Sequence, residues 1–363
     1  MWVDLAITLV KILFIIGITV GFFAPILTWV ERKQSAIMQD RIGANRADIL
    51  GFTAIGLFHC IADALKMFTK EDFIPQGANK ILHTMRPIIA VVPAILTFAV
   101  VPFGGQYTIF DKEVNLVISD LDVGLLFVFA IASLATYGYV IAGWSSNNIW
   151  SLLGSMRTAS QMISYEVTMG LTIVGVLMVY ESMKLTTIGA IQEDFFKWGL
   201  FLQPLGFFMF LAASIAENKR IPFDNPEAES EIVAGYFTEY SGLKFGMFFM
   251  SEFIEMVTIG AIMTILFFGA WHIPFLTTTT LLSWFDFLGT TGSNILVMLI
   301  QVGVFFSKVV FFIWLQMTIR WTLPRFRYDQ IMKLGWKIFL PFSLIWVVLT
   351  AGYLLYFDLL PVN

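Results

Sequence analysis

The sequence predicts an all-α integral membrane protein with about eight transmembrane helices, one further amphipathic helix at the interface, and both termini on the non-cytoplasmic side. Three observations carry this reading. Of the 363 residues, 58% are hydrophobic and 13% charged, about half the charge of an ordinary soluble domain. The apolar residues gather in uncharged runs as long as a bilayer is thick, and mean hydropathy is +0.80. Seventeen of the 22 Lys and Arg lie in or beside the odd-numbered connections between those runs, and three in the even-numbered ones. Basic segments are retained in the cytoplasm, so the odd connections face it. A water-exposed globule and a disordered tail are excluded, and a net charge of -4 offers nothing to a polyanion such as nucleic acid. The single cysteine, Cys60, permits no internal disulfide, and no CxxC, Cys/His ligand spacing or GxGxxG turn marks a metal or dinucleotide site.

The candidate spans run over 5–30, 87–103, 123–143, 152–180, 198–216, 243–271, 294–319 and 338–357. None alternates as a barrel strand does, so each is a helix that pairs its own backbone in hydrocarbon. The first exceeds a signal-peptide core and is followed by Glu31-Arg32-Lys33, which reads as a retained helix. The second is bracketed by Pro87 and Pro102; the fourth and sixth are long enough to need tilt. Without inverted repeats or low-complexity linkers, residues 1–363 read as a single domain.

Three odd connections carry more than tethering. In the first, residues 47–70 predict an amphipathic helix: His59, Asp63, Lys66 and Lys70 form one stripe, with an Asp63–Lys66 pair, and apolar residues fill the other faces. It serves either as an interfacial helix or as the floor of a ligand cavity. The turn Arg41-Ile42-Gly43-Ala44-Asn45-Arg46 can present two guanidinium groups to a polar head or a carboxylate. The fifth connection, 217–242, is acidic: six carboxylates fall in the 23 residues from Glu217 to Glu239. Asn225 and Pro226 suit an N-cap and first helical position, with Glu227 and Glu229 near the positive end of the new helix. Inside the bilayer stand Glu166, and Glu252 with Glu255 on one helix face, with Lys308 as the evident opposite charge. Buried carboxylates in one cavity cannot all ionise, so such a row can relay protons. On the fourth span, Arg157, Gln161 and Tyr165 share a polar face that reads equally as glue between helices. The basic seventh connection, with Arg325, Arg327 and Lys333, suits anchoring on lipid phosphate or an acidic partner.

In this order the motifs resemble the family of the membrane subunit 1, also lettered H, of respiratory complex I, the proton-pumping NADH:quinone oxidoreductase, over nearly the whole chain. The resemblance rests on Glu31-Arg32-Lys33, Ile61 to Lys66 with Lys70-Glu71, Met156 to Glu166, Ala216 to Glu231, Glu239-Tyr240-Ser241-Gly242 and Leu323 to Gln330. The chain departs from the family pattern at Gly43-Ala44-Asn45, at Asn218-Lys219-Arg220 with an extra residue, and at Phe253 in place of Tyr. The resemblance implies that Arg41, Arg46, Asp63, Lys66, Arg220, Phe223 and Asp224 border a quinone chamber. It implies a proton path through Glu217, Asp224, Glu227, Glu229 and Glu231, with Arg157, Tyr165, Glu166, Glu252 and Glu255. Quinone is then the substrate, no residue of this chain is catalytic by itself, and no metal is held. FMN, NADH and iron-sulfur clusters belong to partner subunits of the membrane and peripheral arms, with membrane lipids as further partners. The expected location is the bacterial inner (plasma) membrane, or alternatively the mitochondrial inner membrane. Three other readings stay open: the equivalent subunit of a ferredoxin-, coenzyme- or hydrogen-linked membrane complex, an independent ion transporter, or a structural anchor for a soluble redox module.

Overall fold

Long runs of Leu, Ile, Val and Phe leave the backbone no polar partner but itself in hydrocarbon, and the chain answers with helices. The computed structural model describes residues 2–109 and 112–356, without the side chains of residues 2–4, 229 and 230. Helix α1 (Trp2–Ile16) continues through a π-type segment, Gly17–Phe23, into α2 (Ala24–Met38). The short α3 (Phe58–Thr69) precedes α4 (Lys80–Leu96), and a hairpin of β1 (Gln106–Ile109) and β2 (Lys112–Asn115) leads to α5 (Gly124–Ser145). Then follow α6 (Ile149–Tyr180), α7 (Leu185–Ile191), α8 (Gly199–Leu202), α9 (Pro204–Glu217) and α10 (Glu229–Ile232). The chain closes with α11 (Gly242–Phe267), α12 (Thr278–Trp284), α13 (Gly289–Thr322), α14 (Tyr328–Lys333) and α15 (Leu340–Tyr356).

Among the described residues seven helical runs are long and apolar enough to cross a membrane: Leu5–Met38, Lys80–Ala99, Gly124–Ser145, Ile149–Tyr180, Gly242–Phe267, Asp286–Thr322 and Tyr328–Tyr356. The fifth expected span, 198–216, falls short of them. It is broken at Gln203, because Pro204 has no N–H to continue the turn and the Gln203 side chain is held by α15, accepting from Trp346 Nε1 at 2.6 Å. The helix expected over 47–70 begins only at Phe58. Upstream, Asp48 accepts from the Gly51 N–H at 3.1 Å in a turn, and a Cβ on Gly56, at φ +87°, would lie 1.9 Å from the Ala44 carbonyl oxygen. Nor does Asn225 cap a helix: it is buried, and α10 starts at Glu229. Pro87, expected at a span boundary, sits inside α4, whose start is set instead by the Asn79 side chain accepting from the Leu82 N–H.

Helix α11 is the axis of the bundle. Of its most apolar stretch 78% is buried within the chain, against 11% for the first and last spans, whose surfaces are left to lipid. Around it pack α4, α13, α3 and α2, while α6 joins α5, α9 and α15. Helices gain no hydrophobic drive from lipid, so close backbone approach matters. A Cβ on Gly154 of α6 would come within 2.5 Å of Gly235, so glycine at this crossing brings the turn Gly235–Phe237 against α6. Tyr236 thereby enters the core beside α11.

Candidate functional site: a carboxylate row beneath an apolar groove

Glu252 and Glu255 lie one turn apart on α11, and each meets a cation from the loop that follows α9. Arg220 Nη2 is 3.3 Å from Glu252, and Lys219 Nζ is 3.5 Å from Glu255. Both cations are almost wholly buried, so the pairs are held in low dielectric, where each partner left alone would be costly. Arg220 also reaches Glu31 of α2 at 3.3 Å, and Glu31 pairs in turn with Arg320 of α13. The Tyr236 hydroxyl donates to Glu252 at 3.1 Å and to Glu227 at 3.3 Å; the Tyr139 hydroxyl donates to Glu255 at 3.4 Å. Glu255 and Glu217 line one small cavity of about 50 Å3, otherwise mostly apolar, with Met169, Phe210 and Ile262 among its walls. Glu166 lies within electrostatic reach of Glu217. The row therefore runs Glu227, Glu252, Glu255, Glu217, Glu166.

The loop is pinned rather than loose. Gln161 Nε2, buried on α6, donates to the Ala216 carbonyl at 2.7 Å and the Phe223 carbonyl at 2.8 Å, and the Phe326 N–H donates to the Pro222 carbonyl at 2.9 Å. Asp224 pairs with Arg325 at 2.8 Å, and Arg157 with Glu231 at 2.6 Å. Burial pushes the Asp224 carboxyl up to about 6, with Arg325 opposing. Burial, then the charges of Glu252 and Asp224, holds Glu227 well above the usual carboxylate range. Burial alone would lower Arg220 and Lys219, but the carboxylates outweigh it and both stay above their ordinary values, Arg220 mainly through Glu31 and Lys219 mainly through Glu255. The site thus holds fixed positive charge beside two carboxyls, Asp224 and Glu227, that burial makes reluctant to ionise.

An apolar cavity of about 190 Å3 opens between the π-type segment, α3 and α11, lined by Val20, Cys60, Met67, Met250 and Phe253 among others. Its inner wall meets the row, because the Arg220 guanidinium lies over the Phe253 ring at 4.9 Å. A second, polar cavity of about 260 Å3 adjoins it, bordered by Arg32, Asp63, Lys66, Lys70 and Tyr240. The structure brings Asp63 and Lys66 to this mouth, but Asp63 pairs with Arg32 at 2.5 Å and not with Lys66. Arg41 and Arg46 are exposed and border neither cavity; Arg41 donates to Gln39 and Ser35, while the Arg46 backbone N–H is tied to His59. Tyr165 stands apart from the acids, its hydroxyl donating to the Ile331 carbonyl at 2.9 Å, which makes it glue between α6 and α14. Phe223 packs beside Tyr165 at 5.5 Å in the same apolar layer. Lys308 is not the counter-charge of the row: its Nζ donates to the carbonyls of Phe268, Ala270 and His272 at 2.6 to 3.0 Å. The side chain of Glu229 lies outside the described residues.

Sequence reasoning missed Glu31, Lys219, Tyr139 and Tyr236 as members of the site. Glu31 carried a weak signal, an acid directly after an apolar run; the tyrosines carried none, since their spacing is that of packing residues. Among the described residues no three His, Cys, Asp or Glu side chains converge as metal ligands.

Comparison with known proteins gives the family. A family model described as NADH dehydrogenase matches residues 10–351. The chain is 44% identical over 352 residues to the H 1 subunit of NADH-quinone oxidoreductase from Geobacter metallireducens, covering 97% of this chain and 98% of that one. It is 41% identical over 349 residues to the H 1 subunit from Cytophaga hutchinsonii, covering 96% of each, and 41% identical over 333 residues to the H subunit from Flavobacterium johnsoniae, covering 92% and 91%. A match across nearly the full length of chain and relatives alike, with the acidic loop and its ion pairs inside it, leaves one assignment: the chain belongs to the NADH dehydrogenase family as an H subunit of NADH-quinone oxidoreductase.

Proposed function

We propose that this protein, with peripheral-arm partners above it, encloses the quinone chamber of the complex and passes the consequence of quinone reduction to a carboxylate row as proton movement. The observation that carries this reading is the contact at Phe253. An apolar cavity of about 190 Å3 ends on a ring that lies under Arg220, and Arg220 is paired with both Glu31 and Glu252. A lipid-soluble guest needs a greasy passage and a polar end, and the two meet here. Negative charge arriving on a reduced headgroup strengthens the hold of nearby acids on their protons. Glu227, Glu252, Glu255, Glu217 and Glu166 then form the path, with Asp224, Glu229 and Glu231 at its loop end. Asp63 and Lys66 border the entrance. Electrons come from an iron-sulfur cluster in a partner, and FMN and NADH are likewise held by partner subunits.

The same reading gives a single transmembrane domain with eight crossings, the broken α8–α9 pair with its flanking turns supplying the eighth, and both termini opposite the acidic loop. The charge asymmetry of the connections supports this sidedness. The bacterial sources of the relatives support the inner (plasma) membrane.

Glu252→Gln and Glu217→Gln, each in the assembled complex, test the path. Loss of the charge-assisted contact of Glu252 with Arg220, or of the exchangeable proton at Glu217, adds about 1.4 kcal/mol to the barrier and lowers NADH:quinone turnover and coupled proton uptake about tenfold, while NADH:ferricyanide activity is kept. Unchanged turnover and gradient in both variants would remove the reading.

A further inference from the structure

Arg86 of α4 is fully buried, and both terminal nitrogens of its guanidinium lack a hydrogen-bond partner among the described residues. Only Nε is satisfied, donating to the Gly138 carbonyl of α5 at 2.6 Å. A bare cation in such an interior is costly, and a packing role there is filled as well by Leu or Met. What surrounds it instead is a cage of rings: Phe248 at 3.2 Å from the guanidinium carbon, Tyr139 at 4.7 Å, Tyr236 at 4.9 Å and Tyr240 at 5.9 Å. Ring faces are negative and hold a desolvated guanidinium. Two of these four rings carry the hydroxyls that donate into the carboxylate row, Tyr139 to Glu255 and Tyr236 to Glu252 and Glu227.

We propose that Arg86 is a positioning residue of the proton path: lying over the faces of Tyr139 and Tyr236, its guanidinium fixes and polarises the two phenol hydroxyls that hold Glu255 and the Glu252–Glu227 pair. The inference rests on the reading of that row as the path. A cation over a phenol ring draws density from it and makes its O–H a stronger donor, and a stronger donor favours the ionised carboxylate it serves. Arg86 therefore acts on three acids it does not touch. It acts alongside the direct cations: Lys219, which lies over the same Tyr139 ring at 3.7 Å, Arg220, and through Glu31 and Asp224 the guanidinium groups of Arg320 and Arg325. Opposing it are the charges of Glu217 and, further out on α6, Glu166. On its own helix His83 faces Tyr240, stacked at 4.2 Å.

The test is the pH profile of NADH:quinone turnover in the purified complex reconstituted in vesicles, with NADH:ferricyanide activity as the measure of assembly. Arg86→Met moves the limb that reports the acids to higher pH by at least ~0.5 unit, because ionisation has lost support. Arg86→Lys, which keeps the charge, restores at least half of that shift. Phe248→Leu, which opens the cage without changing charge, moves the limb in the same direction by less. In a Tyr139→Phe, Tyr236→Phe background, Arg86→Met adds no further shift. An unmoved limb in Phe248→Leu overturns the proposal, and so does an Arg86→Met shift that persists undiminished without the two hydroxyls. Should Arg86→Met fail to assemble, Phe248→Leu decides alone. Glu252→Gln separates the two levels: if it is silent, the path itself fails, whereas a deficient Glu252→Gln beside an unmoved Phe248→Leu sinks only the role of Arg86.

Discussion

The middle and the C-terminal end of α11 treat charge in opposite ways. Halfway along the helix, Glu252 and Glu255 face two buried cations and two phenols, and Glu227 stands within electrostatic reach. At its far end one cation, Lys308, donates to the carbonyls of Phe268, Ala270 and His272 in the turn that follows the helix. Charge at the far end is engaged by backbone and holds that turn in place. At the middle, the five acids of the row meet two cations directly, Lys219 and Arg220. Beside Lys308 lies a polar cavity of about 390 Å3, lined by residues such as Asp120, Lys184, Glu193 and His272. Asp120 there is already paired with Lys184 at 2.8 Å, and Glu193 accepts from the Thr278 N–H. An ionisable residue inside a membrane protein is a functional signal by default, and its partners separate the acid row from a cation engaged by backbone carbonyls.

The sharpest way to break this contrast is Lys308→Met. Three buried carbonyls then lose their donor at roughly 1–3 kcal/mol each, and assembled complex in the membrane falls about fivefold or more. Turnover per assembled complex should keep its pH profile; a shifted profile would place Lys308 with the exchanging groups.

Asp224, on the loop that faces the middle of α11, sharpens the contrast. Its folded pKa of about 6 lies above the ordinary carboxylate value, so the folded chain binds this proton more tightly than the unfolded chain. Asp224 accordingly favours folding more at pH 5 than at pH 7, and that contribution falls as pH rises through 6. Thermal melts of Asp224→Asn at the two values should lack this slope. A slope equal to that of the unsubstituted chain would mean that Arg325 holds the carboxylate ionised throughout.

Smaller effects lie at the mouth. Asp63→Asn releases Arg32 at the polar cavity and raises the KM for quinone about two- to fivefold, the scale of an exposed ion pair. Arg41→Ala, whose side chain turns to Gln39 and Ser35, should match Lys333→Ala with unchanged KM. Equal KM changes in all three would point to general loosening. The smallest change belongs to Lys184→Met at the far end, where an exposed pair is lost and the melting midpoint moves by less than ~2 °C.

Much of the fold was legible in the sequence because hydrocarbon tolerates only self-paired backbone. Uncharged runs of sufficient length had to be helices, and seven of the eight expected spans contain long apolar helices. The exception, 198–216, turns on Pro204 and on a side-chain contact between Gln203 and α15 that no local pattern announces. Helix α3 starts 11 residues later than its pattern predicts for a similar reason: the apolar residues of 47–57 fit a helical face, but Gly56 must approach the Ala44 carbonyl. Within the site, Glu166, Glu252 and Glu255 stand out because acids are rare in apolar runs, and Glu217 stands out as the head of the acidic fifth connection. Their partners do not. Lys308 was the nearest cation in composition, yet it serves carbonyls, while the loop cations Lys219 and Arg220 turn inward.

By itself the sequence determined that the chain crosses a membrane in helices, that six acids cluster in one loop with three more inside two spans, and that its family is that of a quinone oxidoreductase component. These follow from composition along the chain, since the free energy of transfer into hydrocarbon is set residue by residue. Only the tertiary structure decided which charge meets which: Arg220 between Glu31 and Glu252, Lys219 on Glu255, Lys308 on the turn after α11. Coulomb and hydrogen-bond energies depend on distances of a few ångströms between residues far apart in the chain, and only packing sets those distances.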